Sequence, residues 1–248
     1  MKEVPVGRVT PGNSIVTGRV LRGDQVAEPG LQRGPLTRGR VLVAALRLVD
    51  AEGLDALTRR RLGRELGCEA MALYRYVPDQ AALLDGIIEL VLDQLVIPDD
   101  GPWQTQLRRG AHSFRQLALA HPHLVSLIVT RPISTPHGLR PLGAVRPVEA
   151  LLTLLTGAGF APAAALRINR LYIGFLYGHI LIELQQLPGN GGGTDNLLRI
   201  GLHHLPPQEF PLLHSLATEL PHYEGAAELD QGLDILLAGI ELHRVKNH

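Results

Sequence analysis

The chain has 248 residues, of which 45% are hydrophobic and 19% are charged. This length suits one large domain or two modest ones, and the composition is that of a folded globular protein. Its 24 basic and 24 acidic residues cancel, so a nucleic-acid surface would have to arise from local clustering of charge. The single cysteine, Cys68, excludes an intramolecular disulfide and favours a cytoplasmic location.

Neither membrane insertion nor export is expected. No apolar run reaches the roughly 18–20 residues of a membrane span, and the N-terminus lacks the apolar core of a signal peptide. Residues 1–35 contain Gly and Pro throughout, but no aromatic residue and no sustained periodicity. This composition predicts a disordered N-terminal arm.

Helical periodicity begins after Thr37, whose hydroxyl can cap a first helix. The apolar residues of that helix recur every three or four positions: Val41, Ala44, Ala45, Leu48 and Val49. Gly53 ends the first helix, and Thr58 and Gly67 mark the start and the end of a second one. Two consecutive amphipathic helices are therefore predicted at the start of the folded region.

A short third helix is predicted from about Glu69 to Tyr76. Asp79 can cap a fourth helix, which should run through Leu95 and end at Pro98. Later stretches of helical spacing are separated by Pro and Gly, and they predict helices at 102–120, 122–130, 141–157, 162–186, 209–219 and 225–245. No alternating strand pattern of useful length is present, so the predicted fold class is all-α.

Adjacent basic residues open the second helix: Arg59, Arg60 and Arg61. Positive charge at a helix N-terminus opposes the helix dipole, so a gain in stability does not explain this cluster. The short third helix is too polar to be core, and we expect it to expose Tyr74, Arg75 and Tyr76, which can contact phosphates and base edges. Two short helices joined by a turn that contains Gly are the parts of a helix-turn-helix.

The segment Leu57–Val77 (LTRRRLGRELGCEAMALYRYV) resembles the DNA-binding signature of the tetracycline-repressor family, and residues 82–85 continue the match. The resemblance implies a helix-turn-helix DNA-binding domain at 36–80 and a larger helical effector-binding and dimerisation domain at 81–248. Residues 1–35 are then an arm, either a solvated tail or a basic segment that lies in a minor groove.

The resemblance also implies roles within the DNA-binding domain. It predicts DNA contacts by eight residues: Thr58, Arg59, Arg60, Ala70, Met71, Tyr74, Arg75 and Tyr76. Arg60 occupies the position that contacts a guanine in the repressor after which the family is named, and Met71 can pack on a thymine methyl. Leu73 and Val77 are expected to fill the small core. Gln80 departs from the family pattern, in which a lysine binds phosphate.

The second half of the chain shows a thinner resemblance to the same family, in four segments: 103–104, 111–115, 130–132 and 232–241. It implies that helices 162–186 and 225–245 pair with their copies in a second subunit as a four-helix bundle. The glycines that permit close approach of these helices are Gly174, Gly178, Gly232 and Gly239. The alternative is that their apolar stripes serve only the core of one chain. A homodimer is favoured because a single helix-turn-helix binds DNA weakly.

This half should also enclose a mostly apolar pocket for a small molecule. The candidate effector-binding residues are Phe114, Thr130 and Arg131 by family position, with Trp103, Phe175 and His179 in addition. For each of them the alternative is ordinary core packing. An aromatic wall, a hydroxyl and a cation suit an apolar or polycyclic effector that carries an acidic or carbonyl group.

Tetracycline itself is not the expected effector. In the family's namesake, a histidine before the Thr-Arg-Pro segment binds the drug's magnesium and an asparagine binds its rings. Leu127 and Gly110 stand at the matching places here, so metal ligation and orienting hydrogen bonds would both be lost. Three pairs stand out among the 11 histidines: His121 and His123, His203 and His204, and His243 and His248. None of these pairs is joined by a Cys or carboxylate at a structural-zinc spacing, and no metal or cofactor is predicted.

The residues and the resemblance together favour one function over two others. The leading hypothesis is a ligand-responsive transcriptional repressor, without catalysis, that binds a palindromic operator as a dimer and is released by a small-molecule effector. One alternative is an activator or architectural DNA-binding protein of the same fold, regulated by a protein partner. The other is an α-helical enzyme, for which no catalytic set could be placed in one site.

Overall fold

A computed structural model describes residues 34–97, 99–134, 142–186, 201, 204–220 and 222–246. The chain separates into two compact units, Met1–Pro35 and Leu36–His248, and only Gly34 and Pro35 of the first unit are described. The predicted disordered arm therefore lies almost entirely outside the described residues, and the domain boundaries stay a prediction. No helix in the described ranges is both long enough and apolar enough to cross a membrane.

Within the described residues, the regular secondary structure of the second unit is helical throughout, and the predicted all-α class is confirmed. The α-helices are α1 Arg38–Glu52, α2 Arg59–Leu66, α3 Gln80–Leu92, α4 Trp103–Ala120, α5 Pro122–Ser134, α6 Leu142–Gly157, α7 Pro162–Gln186, α8 Pro211–Ser215 and α9 Gly225–Lys246. Two 3₁₀ helices accompany them, Leu54–Ala56 and Ala70–Arg75.

The predicted helix caps are present. The side chains of Thr37, Thr58 and Asp79 each accept a hydrogen bond from the backbone N–H three positions later, at 3.2, 3.2 and 2.7 Å. Each of these bonds satisfies an N–H group that has no partner within its helix. Gly53 and Gly67 follow α1 and α2 with φ angles of 84° and 66°, which a residue with a Cβ adopts only with strain. Local signals therefore determine where these helices start and stop.

The first helices and the short helix Ala70–Arg75 share one core. Leu62 and Leu73 are fully buried in it and Val77 is almost so, which confirms the predicted core positions of Leu73 and Val77. The buried face of α1 supplies the other side, through Val41, Leu42, Ala44, Ala45, Leu48 and Val49. Burial of these side chains holds the short helix against α1 and α2.

Gly63 lets α2 come close to the turn that follows it. A Cβ added at Gly63 would lie 2.8 Å from the carbonyl oxygen of Cys68 and 3.3 Å from the backbone nitrogen of Ala70. Both atoms belong to the backbone, which cannot move aside as a flexible side chain can. Gly63 therefore sets how closely the short helix can pack on α2.

The fourth helix is shorter than predicted. It ends at Leu92, and the N–H groups of Gln94 and Leu95 bond to carbonyls three residues back instead of four. Asp93 at this end accepts a hydrogen bond from Arg146 of α6 at 3.0 Å. The chain thus tightens into a turn at Asp93, and the prediction that the helix runs through Leu95 is wrong.

Two other helices also differ from their predictions. The third predicted helix is a 3₁₀ helix limited to Ala70–Arg75, in which the N–H groups of Ala72 and Tyr76 bond to carbonyls three positions back. The predicted helix 209–219 contracts to α8, Pro211–Ser215, and continues as turns to residue 220. In both places the amino-acid pattern predicts helical character but overestimates its length.

Helices α3 and α5 connect the first helices to the rest of the second unit. Helix α3 packs against both α1 and α6, and α5 packs against α1, α4 and α7. His121, directly after α4, places its Nδ1 atom 3.0 Å from both carboxylate oxygens of Asp50 on α1. The helix-turn-helix is thus in direct contact with the helices that would hold an effector.

Substitution of Gly63 by alanine tests the close approach of α2 and its turn. Gly63→Ala should lower the free energy of unfolding by about 1–3 kcal/mol, because the new Cβ meets rigid backbone. Gly39→Ala is the matched control, since Gly39 also lies in a helix but has nothing within 4 Å of its added Cβ. It should leave stability unchanged or raise it by up to about 1 kcal/mol. Denaturant titration of both variants measures the difference, and equal effects would contradict the packing described.

Candidate nucleic-acid interface and regulatory core

The short helix Ala70–Arg75 has a buried face and an exposed face. Leu73 is fully buried, whereas Met71 is 72% exposed and Tyr74 is 47% exposed. Arg75 is also exposed, and Ala70 is half-buried. The buried leucine anchors this helix. Its exposed face carries a methionine, a tyrosine and an arginine.

Tyr76 is half-buried, although the sequence predicted that it would be exposed. It is the residue that ends the short helix: its N–H donates to the carbonyl of Leu73 at 3.0 Å, and its ring packs against the hydrophobic core. The chain turns inward at this point. Only part of the Tyr76 side chain is therefore available to an outside partner.

Arg61 joins α1 to α2 through two carboxylates. Its guanidinium lies 2.5 Å from Glu52 at the end of α1 and 3.3 Å from Glu65 one turn along α2. The hydrogen bond to Glu52 is the main cause that raises the pKa of Arg61. This arginine is already engaged by the protein.

The two other arginines at the start of α2 differ from Arg61 and from each other. The guanidinium carbon of Arg59 lies 3.7 Å from the centroid of the Tyr74 ring, and its Nη2 donates to the carbonyl of Pro78 at 3.4 Å. Arg60 is exposed, and its side chain has no partner in the described part of the chain. Of the three adjacent arginines, Arg60 alone presents a solvated guanidinium next to the short helix.

Thr58 and Gln80 lie near the same surface. The hydroxyl of Thr58 accepts the capping hydrogen bond of α2 and is exposed, so its own proton is available to an outside acceptor. Gln80 donates through Nε2 to the carbonyl of Leu57 at 3.3 Å. Glutamine therefore ties the start of α3 to the segment before α2, at the position where the resemblance led us to look for a phosphate-binding lysine.

The predicted effector-binding residues fall into separate groups. Phe114 is buried against Tyr177, with ring centroids 5.7 Å apart. Trp103 is buried against the edge of Phe160 at 5.3 Å. The side chains of Thr130 and Arg131 lie outside the described residues, so their predicted role stays a prediction.

Phe175 and His179 belong to a third group, which includes Tyr223. The ring of His179 lies between the other two, at 6.1 Å from Phe175 and 6.0 Å from Tyr223. The hydroxyl of Tyr223 is 3.4 Å from Nδ1 of His179. Burial, followed by the charge of Glu183, raises the pKa of Tyr223 to about 12, so at neutral pH it is a protonated hydroxyl that can donate.

A buried ion pair lies next to this aromatic group. The Glu183 side chain is 7% exposed, and its carboxylate accepts hydrogen bonds from Nε of Arg115 at 2.9 and 3.1 Å and a further one from Nη2. His179 completes the cluster, with Nε2 at 3.6 Å from Glu183. Helix α4 is thus joined to α7 by a charge pair within an otherwise apolar interior.

A cleft opens between the start of α4 and α6. Its volume is about 780 Å³, and its lining combines Trp103 and Leu154 with the polar side chains of Gln106, Arg146 and Glu149. This size is in the range of small-molecule sites. In the residues that the structure describes, no three His, Cys, Asp or Glu side chains come together as metal ligands.

Exposed apolar residues form a stripe on α7 and another on α9. On α7 they are Leu171 and Ile182, at 60% and 52% exposure, with Gly174 and Gly178 between them. On α9 they are Ile235 and Leu242, at 77% and 64%, with Gly239 between them. A Cβ at any of these three glycines would meet nothing within 4 Å. These two stripes, defined as the helix-pair face, are open in the single chain.

Gly232 does not belong to the helix-pair face, although the sequence grouped it with the other glycines. A Cβ there would lie 2.5 Å from the ring of Phe175. Its small size serves packing within the chain, where it makes room for the aromatic group.

Comparisons with known proteins cover both halves of the chain. The pattern of the family described as "Tetracyclin repressor-like, C-terminal domain" matches residues 97–244. The HTH-type transcriptional repressor DrrR1 of Streptomyces coeruleorubidus is 35% identical over 164 residues, which are 62% of this chain and 57% of that protein. Tetracycline repressor protein class A from transposon 1721 of Escherichia coli is 31% identical over 211 residues, 83% of this chain and 90% of that protein.

A solved structure gives the same result at the level of the fold. The crystal structure of the Streptomyces coelicolor TetR family protein ActR in complex with actinorhodin has a TM-score of 0.72 to this chain and 31% sequence identity, and the match covers 85% of this chain and 99% of that one. The chain belongs to the tetracycline-repressor family. It is accordingly a DNA-binding transcriptional repressor with a ligand-responsive helical domain, which confirms the predicted family and the predicted class of ligand-responsive repressor.

Two positions bear on the prediction that tetracycline is not the effector. A Cβ at Gly110, where the resemblance places the ring-binding asparagine, would be 3.5 Å from the Tyr172 hydroxyl. That hydroxyl already donates to the carbonyl of Leu107 at 2.6 Å. Leu127, at the place of the magnesium-binding histidine, packs against the hydrophobic core. The exclusion of tetracycline stays a prediction that rests on the resemblance at these two positions.

Sequence reasoning missed the most polar part of this regulatory core. Arg115 and Glu183 are 68 positions apart and carry no spacing signal that links them. Tyr223 lies outside the helices named above and outside the four segments that showed the resemblance in the sequence. The available hint was Glu183 itself, a charged residue in the most apolar stretch of the chain, because a charge buried in such surroundings needs a partner.

Removal of Glu183 tests whether the ion pair is structural. Glu183→Ala should lower the free energy of unfolding by about 3–5 kcal/mol, because it leaves the Arg115 guanidinium without its buried partner. Asp100→Ala is the control: Asp100 pairs with Arg109 at 2.9 Å but is largely exposed, so water replaces the lost partner and stability should hardly change. Thermal and denaturant unfolding of both variants provide the comparison. A Glu183→Ala protein as stable as the control variant would contradict the structural role.

Proposed function

We propose that this repressor binds a palindromic DNA operator as a homodimer and that a small-molecule effector releases it. The observation that carries the proposal is the short helix Ala70–Arg75, which buries Leu73 and keeps Met71 and Tyr74 outside. A helix anchored in this way can enter a major groove without loss of its own core. The free guanidinium of Arg60 lies at the neighbouring helix start.

The side chains of this surface fit distinct parts of a duplex. Arg60 can donate two hydrogen bonds to the O6 and N7 atoms of a guanine, and Met71 can pack on a thymine methyl. Thr58, Tyr74 and Arg75 offer donors to phosphate oxygens. Ala70 and the exposed part of Tyr76 lie at the edges of the same contact. Arg59 contributes to this surface through its contact with the Tyr74 ring.

The helix-pair face supports the homodimer. Its apolar residues on α7 and α9 are exposed in the single chain, and its three glycines leave room for a second pair of helices. Burial of this face against a copy of itself would remove apolar surface from water and form a four-helix bundle. Two helix-turn-helices joined in this way bind a palindrome, because protein and operator share a two-fold axis.

The regulatory core supports an apolar or polycyclic effector. Its aromatic side chains, namely Phe114, Phe175 and Tyr177, would offer apolar contacts to such a molecule. Asn169 is 7% exposed, and its Oδ1 has no hydrogen-bond partner in the described part of the chain. A buried acceptor without a partner costs about 1–3 kcal/mol, which a donor on a bound effector would recover. Thr130, Arg131 and Trp103 remain candidate contacts.

Release follows from the contacts between the two halves. An effector that shifts α4 also shifts His121, which holds Asp50 of α1, and thereby changes the position of the helix-turn-helix. Effector and operator then oppose each other by the same coupling free energy, whichever binds first. The free thiol of Cys68 and a DNA target both support a cytoplasmic location for this equilibrium.

Arg60→Ala tests the proposed contact with a base. The substitution should weaken binding to the protein's preferred operator by about 1–3 kcal/mol and relax the preference at one base pair, because the pair of hydrogen bonds to guanine is lost. Gel shift with the protein's own upstream DNA and with single-base variants of the footprinted site measures both effects. Arg47→Ala removes the same charge from an exposed position of α1 and should have little effect. An unchanged operator affinity for Arg60→Ala would remove this residue from the interface.

Titration with tetracycline tests the effector class. Isothermal titration with the magnesium–tetracycline complex should show no submicromolar binding, because Gly110 and Leu127 supply neither the amide nor the imidazole that the drug requires. A class A tetracycline repressor is the positive control under the same conditions. Submicromolar affinity of this chain for the drug would refute the assignment of an effector other than tetracycline.

A further inference from the structure

Arg59 faces the protein and not the solvent side of the interface. Its guanidinium carbon stands 3.7 Å from the centroid of the Tyr74 ring. One of its edges donates to the Pro78 carbonyl at 3.4 Å. Its Nη1 atom is buried and has no hydrogen-bond partner among the described residues. The charge is thus held between the aromatic ring and the turn before α3.

The location of this contact links three elements of the helix-turn-helix. Arg59 is the first residue of α2, Tyr74 lies on the short helix, and Pro78 belongs to the turn that precedes α3. Tyr74 is 47% exposed, so its ring would be free to change rotamer if nothing covered one of its faces. The guanidinium supplies that cover.

We propose that Arg59 is a positioning residue, which fixes the Tyr74 ring so that its hydroxyl points to the DNA backbone, and does not itself bind phosphate. This inference rests on the proposed function, since it assigns a role within the same DNA-binding surface. Of the three adjacent arginines, Arg61 then joins α1 to α2, Arg59 orders Tyr74, and Arg60 contacts DNA.

The chemistry of arginine suits this role. Its planar, weakly hydrated guanidinium stacks on an aromatic face and keeps its edges for hydrogen bonds, whereas the ammonium of lysine is a compact and strongly hydrated charge. A cation over a tyrosine ring changes an equilibrium constant by about two- to thirtyfold, with the larger values where the cation is desolvated. A ring that is already fixed loses less side-chain freedom when DNA binds.

A double-mutant cycle separates positioning from direct phosphate contact. The probe is a fluorescein-labelled duplex that the wild-type protein selects from random DNA. Its anisotropy measures binding by the full-length wild-type protein, Arg59→Met, Tyr74→Leu and the double variant. Arg59→Met should weaken binding about fivefold when Tyr74 is present and less than twofold in the Tyr74→Leu background. The slope of log affinity against log salt should stay unchanged. Arg59→Lys should recover only part of the loss, because lysine keeps the charge but not the planar stack.

The opposite role gives a different set of results. A direct phosphate contact would make the effects of the two substitutions additive. It would also lower the salt slope by about 1.8 for Arg59→Met, because the dimer would lose one contact in each half-site. Either result with normal wild-type binding would overturn the positioning role and leave the proposed function intact. A wild-type protein without sequence-specific DNA binding would instead overturn both.

A spectroscopic measurement on the free protein checks the contact without DNA. In protein labelled with ring-¹³C tyrosine, Arg59→Met should shift the Tyr74 resonance and speed its ring rotation. The Tyr177 ring, packed against Phe114, serves as the internal control for intact folding and should not move. An unmoved Tyr74 resonance would show that Arg59 does not order the ring.

Discussion

The burial of Leu73 is the constraint on which the DNA-binding surface depends. Its side chain is fully covered, so the short helix that carries it must lie flat on α1 and α2 and must present its opposite face outward. The close contact at Gly63 sets the distance between the short helix and α2. A helix of six residues has too little hydrogen bonding of its own to be stable in water. Its conformation is therefore imposed by packing, and the side chains that we propose as DNA contacts are already in place in the free protein.

The regulatory half uses a different interaction for a related purpose. Arg115 and Glu183 form a charge pair between α4 and α7, surrounded by aromatic rings. Such a pair fixes the register of two helices, because neither charge can be left alone in an apolar interior. Directly after the same end of α4, His121 contacts Asp50 of α1. A movement of α4 together with α7 would keep the buried pair and would reach α1 through this contact.

Local signals in the sequence predicted the helices well, and contacts between distant residues explain what they missed. Thr37, Thr58 and Asp79 cap their helices as expected, since a cap depends on neighbours three positions away. The predicted end of α3 was wrong. The chain turns at Asp93, whose carboxylate accepts a hydrogen bond from Arg146, 53 positions later, and the local pattern carries no signal of this contact. The cluster of arginines at the start of α2 predicted a DNA-binding surface. That Arg59 lies over Tyr74 while Arg61 pairs with Glu52 could not be predicted, because the partners of a side chain are decided by the tertiary fold.

The central claim is that two copies of the short helix enter adjacent major grooves of one operator. Hydroxyl-radical footprinting of the wild-type complex, combined with its mass by analytical ultracentrifugation, measures this most directly. We expect two protomers on each operator and two protected segments whose centres lie one helical turn apart, about 34–36 Å. One protected segment, or a complex that contains a single protomer, would contradict the claim.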